Sequence, residues 1–94
     1  MTVAVQGALD VDVPWALHPQ VALRPESFGA LLYHFGTRKL SFLKSRTIVA
    51  IIESFPDHLN MRAAIVAAGI SESGMAPYIK AFATLADSRM IIKL

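Results

Sequence analysis

The stretch LYHFGTRKLSFLK, Leu32 to Lys44, decides the fold. It reads as two strand-like runs of apolar and aromatic residues bent about a glycine. A two-residue loop at Gly36-Thr37, with the glycine supplying a positive φ, predicts a tight hairpin. Phe35 then lies opposite Arg38, His34 opposite Lys39, Tyr33 opposite Leu40, Leu32 opposite Ser41, and Leu31 opposite Phe42. In that register Leu31, Tyr33, Leu40 and Phe42 share one face, while Leu32, His34, Lys39 and Ser41 share the other. A slip of one residue would scramble the partition, so the sorting supports the register. The four apolar side chains mark the expected core side.

Upstream of the hairpin, Val21-Ala22-Leu23-Arg24 alternates as a short strand that Pro25 should stop. Phe28 to Phe35 makes the second strand and Lys39 to Leu43 the third. Residues 1–17 show neither period and are expected to form a flexible arm, with Trp15 as a lone large apolar group able to dock. The folded domain is expected over residues 18–94.

Downstream, the period becomes helical. Ile48, Ile51, Ile52 and Phe55 fall at i, i+3, i+4 and i+7, with Ser45 as N-cap and Pro56-Asp57 as the stop. Asn60 can cap an alanine-rich helix from Met61 to Ala68, closed by Gly69 in a left-handed conformation with Ile70 as its apolar follower. Pro77 is tolerated only in a first turn, so a third helix should start near Gly74. Its stripe is Met75, Tyr78, Ile79, Phe82, Leu85 and Ala86, and the chain ends in an extended MIIKL. Three antiparallel strands followed by three helices make an α+β domain, winged-helix-like in outline, whose last two helices look like a helix-turn-helix pair.

Composition limits the function. Ninety-four residues make one domain whose core is modest, because a chain this short buries only roughly 60–65% of its unfolded surface. Yet 54% of the residues are hydrophobic and 17% charged, with a mean hydropathy of +0.49. Either an alanine-rich helical core absorbs that apolar surface or part of it faces a partner. The absence of cysteine excludes disulfides, iron–sulfur ligation and thiolate zinc, and it suits a reducing, cytoplasmic setting. The N-terminus lacks the basic start of a signal peptide, and apolar runs such as Ile48 to Ile52 are far shorter than a membrane span. His18, His34 and His58 are scattered, without ligand spacing. There is no phosphate-binding glycine loop and no nucleophile motif, so neither catalysis nor a cofactor is expected.

Charge is distributed unevenly. Arg38, Lys39, Lys44 and Arg46 supply four of the nine basic residues with no acid among them. Such a strip favours an acidic partner, or it guards an edge strand against aggregation. A helix-turn-helix transcription regulator is the alternative function. However, the third helix offers only Lys80 and Arg89, where phosphate contacts call for several cations on the reading face.

If the third strand is a sheet edge with the third helix beside it, a groove forms that suits β-augmentation by an extended peptide. Trp15 to Thr47, WALHPQVALRPESFGALLYHFGTRKLSFLKSRT, resembles the mycofactocin precursor-peptide chaperones. Ala81 to Leu94, AFATLADSRMIIKL, is similar to the closing helix and tail of the wider PqqD-like family, with Arg89 where that family often has glycine. The resemblance implies a non-catalytic peptide chaperone in mycofactocin biosynthesis. Such a protein binds the leader of a short acidic precursor as an added strand and presents it to a radical S-adenosylmethionine maturase, with no nucleic acid or membrane involved. Carried onto this chain, the peptide-binding residues would be Arg38, Lys39, Leu40, Ser41, Phe42, Leu43 and Lys44 on the strand, with Tyr78, Ile79 and Phe82 on the helix.

Overall fold

The computed structural model describes residues 9–94. The element order is β1 (Trp15–Leu17), β2 (Val21–Glu26), β3 (Gly29–His34), β4 (Leu40–Leu43), α1 (Arg46–Ser54), α2 (Met61–Ala67), α3 (Ala76–Asp87) and β5 (Ile91–Lys93). One antiparallel sheet has the order β2-β3-β4, and β1 pairs with β5 in a second, two-stranded sheet. The α+β expectation of three antiparallel strands followed by three helices holds.

The hairpin register is the expected one: Tyr33 faces Leu40, Leu32 faces Ser41, and Leu31 faces Phe42. The faces are reversed. Ala30, Leu32 and Leu43 are buried, whereas Leu40 and Phe42 are 54% and 61% exposed. Periodicity separates two sets of side chains without saying which one the helices cover. Two features decide it. Leu43 must turn inward for the chain to pass directly into α1, and Ala30 gives α1 a small residue to approach. Gly29 makes the same crossing possible, since a Cβ there would stand 2.0 Å from the Leu43 carbonyl oxygen.

The turn also differs from expectation. The residue with positive φ is Arg38, at 64°, and Gly36 is not left-handed. The Arg38 N–H donates to the His34 carbonyl (2.7 Å) and the His34 N–H to the Lys39 carbonyl (2.9 Å). Gly36 is needed for room: a Cβ there would lie 2.5 Å from Gln20 Oε1 and 2.9 Å from the His34 ring.

The strand expected to stop at Pro25, β2, runs through it. Pro25 pairs with Ala30 inside β2, at a position whose backbone nitrogen points away from β3, where a missing donor costs no ladder bond.

The helix signals are realised. Ser45 Oγ accepts from the Ile48 N–H (3.1 Å) and Asn60 Oδ1 from the Ala63 N–H (2.8 Å), caps worth about 1 kcal/mol each. Gly69 has φ 92°, and the Ile70 N–H returns to the Ile65 carbonyl (3.4 Å), as a left-handed helix end requires. The third helix begins at Ala76 rather than near Gly74, because Glu72–Gly74 forms a separate 3-10 turn. Pro77 still falls in its first turn.

Within the expected arm, residues 1–8 lie outside the described residues. Residues 9–17 pack onto the domain instead of standing apart. Val11 and Trp15 are buried, and the Trp15 indole donates to the Asp10 carbonyl (2.8 Å). The carbonyls of Val13 and Val11 accept from the N–H groups of Met61 and Arg62 (3.2 and 2.8 Å), serving donors that the start of α2 leaves unpaired. Arg62 adds ion pairs to Asp12 (2.7 Å) and Glu72 (2.6 Å). The extended tail is β5, with Leu17 opposite Ile91 and Trp15 opposite Lys93.

Phe82, Leu32, Ile51, Met61, Ile65, Met90 and Ile91 form the fully buried centre. No helix among the described residues is long and apolar enough to cross a membrane.

Arg89, just past α3, has φ 61°, a left-handed conformation that a side chain disfavours by about 1–2 kcal/mol. Arg89→Gly should therefore raise the unfolding free energy by about 1 kcal/mol, after the extra freedom that glycine gives the unfolded chain is deducted. Urea denaturation would measure it, and no gain would mean that the arginine side chain offsets the backbone cost.

Candidate functional site

The site is built from the free edge of β4, and the pairing pattern determines what that edge offers. In an antiparallel ladder, directly bonded pairs alternate with non-bonded ones. The bond from the His34 N–H to the Lys39 carbonyl marks His34 and Lys39 as a bonded pair. Leu32 with Ser41 and Ala30 with Leu43 are then bonded too. Ser41 and Leu43 spend their backbone groups on β3, while Leu40 and Phe42 point theirs outward. Among the described residues no strand lies on that side, so two N–H and two C=O groups stand open.

Beside this edge runs a groove of about 340 Å³ lined by Ser41, Phe42, Leu43, Lys44, Ile48, Ala81, Thr84 and Leu85. Thus α3 does flank the third hairpin strand. It does so through Ala81, Thr84 and Leu85, spaced i, i+3, i+4, and not through the expected aromatic stripe. Phe82 is fully buried, its ring 5.7 Å from that of Phe55. Tyr78 and Ile79 are half-buried against the core cluster and line no part of the groove. Of the ten candidate residues, the structure gathers Ser41, Phe42, Leu43 and Lys44 in the groove. Leu40 sits on the adjoining edge, and Arg38 and Lys39 lie exposed in the turn leading into β4. Ala81 and Thr84 are not legible as groove residues in the sequence, because a small alanine and a threonine stand out little beside the large side chains of the stripe. Their spacing from Leu85 was the available clue.

A second hollow of about 330 Å³ lies against β2, lined by Leu17, Leu23, Pro25, Ile52, Glu53 and Pro56. The backbone beside it is poor in donors. By the same alternation Val21, Leu23 and Pro25 face outward on β2. The Val21 N–H is taken by the His18 carbonyl (2.9 Å), and proline has none. Of these two hollows, the one beside β4 adjoins the edge with more open donors.

Electrostatics favour a negatively charged visitor. Arg38, Lys39 and Lys44 make no ion pair among the described residues. No group of three or more His, Cys, Asp or Glu among those residues could hold a metal ion. On α3 only Lys80 is a cation, with Arg89 beyond its end, which leaves the DNA-binding alternative without a basic reading face.

The start of β4 is held by His34. Its Nδ1 accepts from the N–H groups of Gly36 (3.0 Å) and Thr37 (3.1 Å), so the neutral ring carries its proton on Nε2, which is buried without a partner. The His18 ring lies 4.4 Å away. Burial, then the nearby His18 and Arg89, lower the His34 pKa below the ordinary 6.5.

The family described as peptide chaperone MftB matches residues 14–92. The chain belongs to the peptide chaperone MftB family. Similar relatives carry the same name. The protein from Mycobacterium ulcerans (strain Agy99) is 59% identical over 86 residues, covering 92% of this chain and 79% of its own length. That from Mycolicibacterium smegmatis (strain ATCC 700084 / mc(2)155) is 56% identical over 90 residues, covering 96% and 88%. That from Mycobacterium tuberculosis (strain ATCC 25618 / H37Rv) is 54% identical over 83 residues, covering 88% and 76%. No solved structure matches significantly. The family match runs from just before β1 to Ile92 within β5 and so includes the residues that line the open edge and its groove.

Because the folded state favours neutral His34, the unfolded chain takes up the proton first. The stabilisation is complete above pH 6.5 and is lost as pH falls from there toward the lower folded pKa. Asp12 is likewise held below its ordinary 3.8, by the hydrogen bond from Arg62, so its contribution is lost only in stronger acid. The melting temperature should therefore drop between pH 7.5 and pH 5. His34→Leu should melt lower at pH 7.5 and show a smaller drop, which scanning calorimetry at the two pH values would measure.

Proposed function

We propose that the protein is a non-catalytic peptide chaperone of mycofactocin biosynthesis. It binds the leader of a short acidic precursor as a fourth strand on β4 and presents it to a radical S-adenosylmethionine maturase. The observation that carries this reading is the free edge of β4 beside the Ile48–Ala81–Leu85 groove. Membership of the peptide chaperone MftB family supports it, and the absence of cysteine suits a cytoplasmic setting. In an added strand, backbone bonds to Leu40 and Phe42 give register, and alternate side chains enter the groove. At roughly 1 kcal/mol net per bond, four bonds do not outweigh association entropy by themselves. The groove and the cations at both ends of β4 supply the remainder. Arg38 and Lys39 stand at one end and Lys44 at the other, so carboxylates near the ends of the bound segment would be attracted from both sides.

Two measurements test the docking mode. Phe42→Pro removes an outward donor and, at an edge strand, leaves the β3 ladder intact, whereas Phe42→Ala removes only the side chain. Leader affinity by calorimetric titration should be at least about tenfold weaker for the proline variant than for the alanine variant, since a peptide carbonyl loses its partner. Equal affinities would rule out strand addition at this edge. Combined Lys39→Glu and Lys44→Glu should weaken leader binding and flatten its dependence on salt from 50 to 300 mM. An unchanged salt slope would mean that these lysines only keep the rim solvated.

A further inference from the structure

The reversal of the sheet leaves an apolar face without a cover. Phe28, Phe35, Leu40 and Phe42 are 43%, 61%, 54% and 61% exposed, and they lie together with half-buried Leu31 and Tyr33 on the side away from the helices. They are organised: Phe28 and Phe42 stand 6.3 Å apart between ring centroids, and Tyr33 and Phe35 meet edge to face at 4.9 Å. We infer that this outer sheet face is the surface by which the protein docks onto the maturase, through an apolar patch rimmed by carboxylates on that enzyme. The inference rests on the peptide-presentation reading above and adds to it the surface for the second partner.

Charge selects the occupant. Arg38 lies at one end of the face and Lys44 and Arg46 at the other, without carboxylate partners among the described residues. Arg46 holds the Ser27 carbonyl (2.9 Å) beside Phe28. Arg24, opposite Leu31 on the same face, is paired with Glu26 (2.6 Å), the single acid on this side of the sheet. Two copies meeting face to face would set cation against cation, because a two-fold contact opposes like patches. A different chain carrying carboxylates around an apolar centre meets no such penalty.

Size and position agree. Three strands about 4.8 Å apart and about five residues long at ~3.3 Å each give on the order of 250 Å² of sheet. A specific interface needs about 800 Å² per partner, so the patch forms the dry centre and the basic rim the periphery. The face also adjoins the peptide edge. Leu40 and Phe42 contribute side chains to the face while their own backbone groups point along the sheet toward the added strand. A protein docked on the face would lie beside the captured leader without displacing it.

The test uses Tyr33→Ser, on the central strand, with Phe35→Ser, just past its end, both away from the open β4 edge, in the 94-residue chain. Titrations with the synthetic leader and, separately, with the purified maturase read the two partners apart. Leader affinity should stay within twofold of wild type, and maturase affinity should fall at least tenfold. In wild type, hydroxyl-radical labelling of Phe28, Tyr33, Phe35 and Phe42 should fall on adding maturase. Undiminished maturase affinity in the double variant, with labelling unchanged, would overturn the docking face and leave leader capture standing. Failure of wild type to bind maturase at all would overturn the presentation reading and this inference with it. A concentration-dependent dimer abolished by the double substitution would assign the face to a second copy and overturn the proposal.

Discussion

The acceptor nitrogen of one buried imidazole organises the sheet. His34 is 2% exposed, and its Nδ1 takes two N–H groups from the turn that follows it. A polar ring can occupy an inward position because that turn supplies its hydrogen bonds. Once His34 points in, alternation sends Leu32 and Ala30 in with it and puts Leu31, Tyr33 and Phe35 on the outside. The same nitrogen pins the loop that delivers Leu40 to its register, so it also determines which backbone groups of β4 are left open. The space it needs is provided by Gly36, whose missing side chain matters for proximity and not for its φ.

The two unoccupied features of the sheet differ in kind. The edge of β4 is a row of directional groups at fixed spacing, which selects an extended backbone and is indifferent to most of its side chains. The outer face is a field of rings and leucines, which selects shape and hydrophobicity. They share Leu40 and Phe42, whose main chain belongs to one and whose side chains belong to the other. Under the proposed function, one four-residue strand would contact a peptide and a protein at once, in perpendicular directions.

Much of this was legible in the sequence because local chemistry carried it. Ser45 and Asn60 cap, Gly69 turns and Pro77 starts where short-range rules place them, and the hairpin pairing followed from matching apolar positions across a turn. What was not legible depended on contacts between distant segments. The inward choice of His34 over Tyr33 needed α1 in place. The strand at Trp15–Leu17 needed the tail at Ile91–Lys93, 76 positions away from Trp15 to Ile91, and three residues are too few to show a period. The groove-lining face of α3 is Ala81, Thr84 and Leu85 and not the aromatic stripe, because Phe82 is the core residue that seats the helix against Phe55. Strand β2 was cut short at Pro25 because sequence alone does not tell which side of an edge strand a nitrogen faces.

Pro25 has a consequence for assembly. With its nitrogen outward, and with the Val21 donor already engaged, the β2 side of the sheet retains Leu23 as its sole free donor among the three outward positions. The opposite side remains open. A sheet with one receptive border and one blunted border can accept a single strand and then stops, since a copy added to β4 through its own β2 would find too few donors to bond with. If a strand adds to β4 as proposed, the proline limits that growth to a length of one. That lets an apolar, cysteine-free chain keep an exposed strand without templating a fibre.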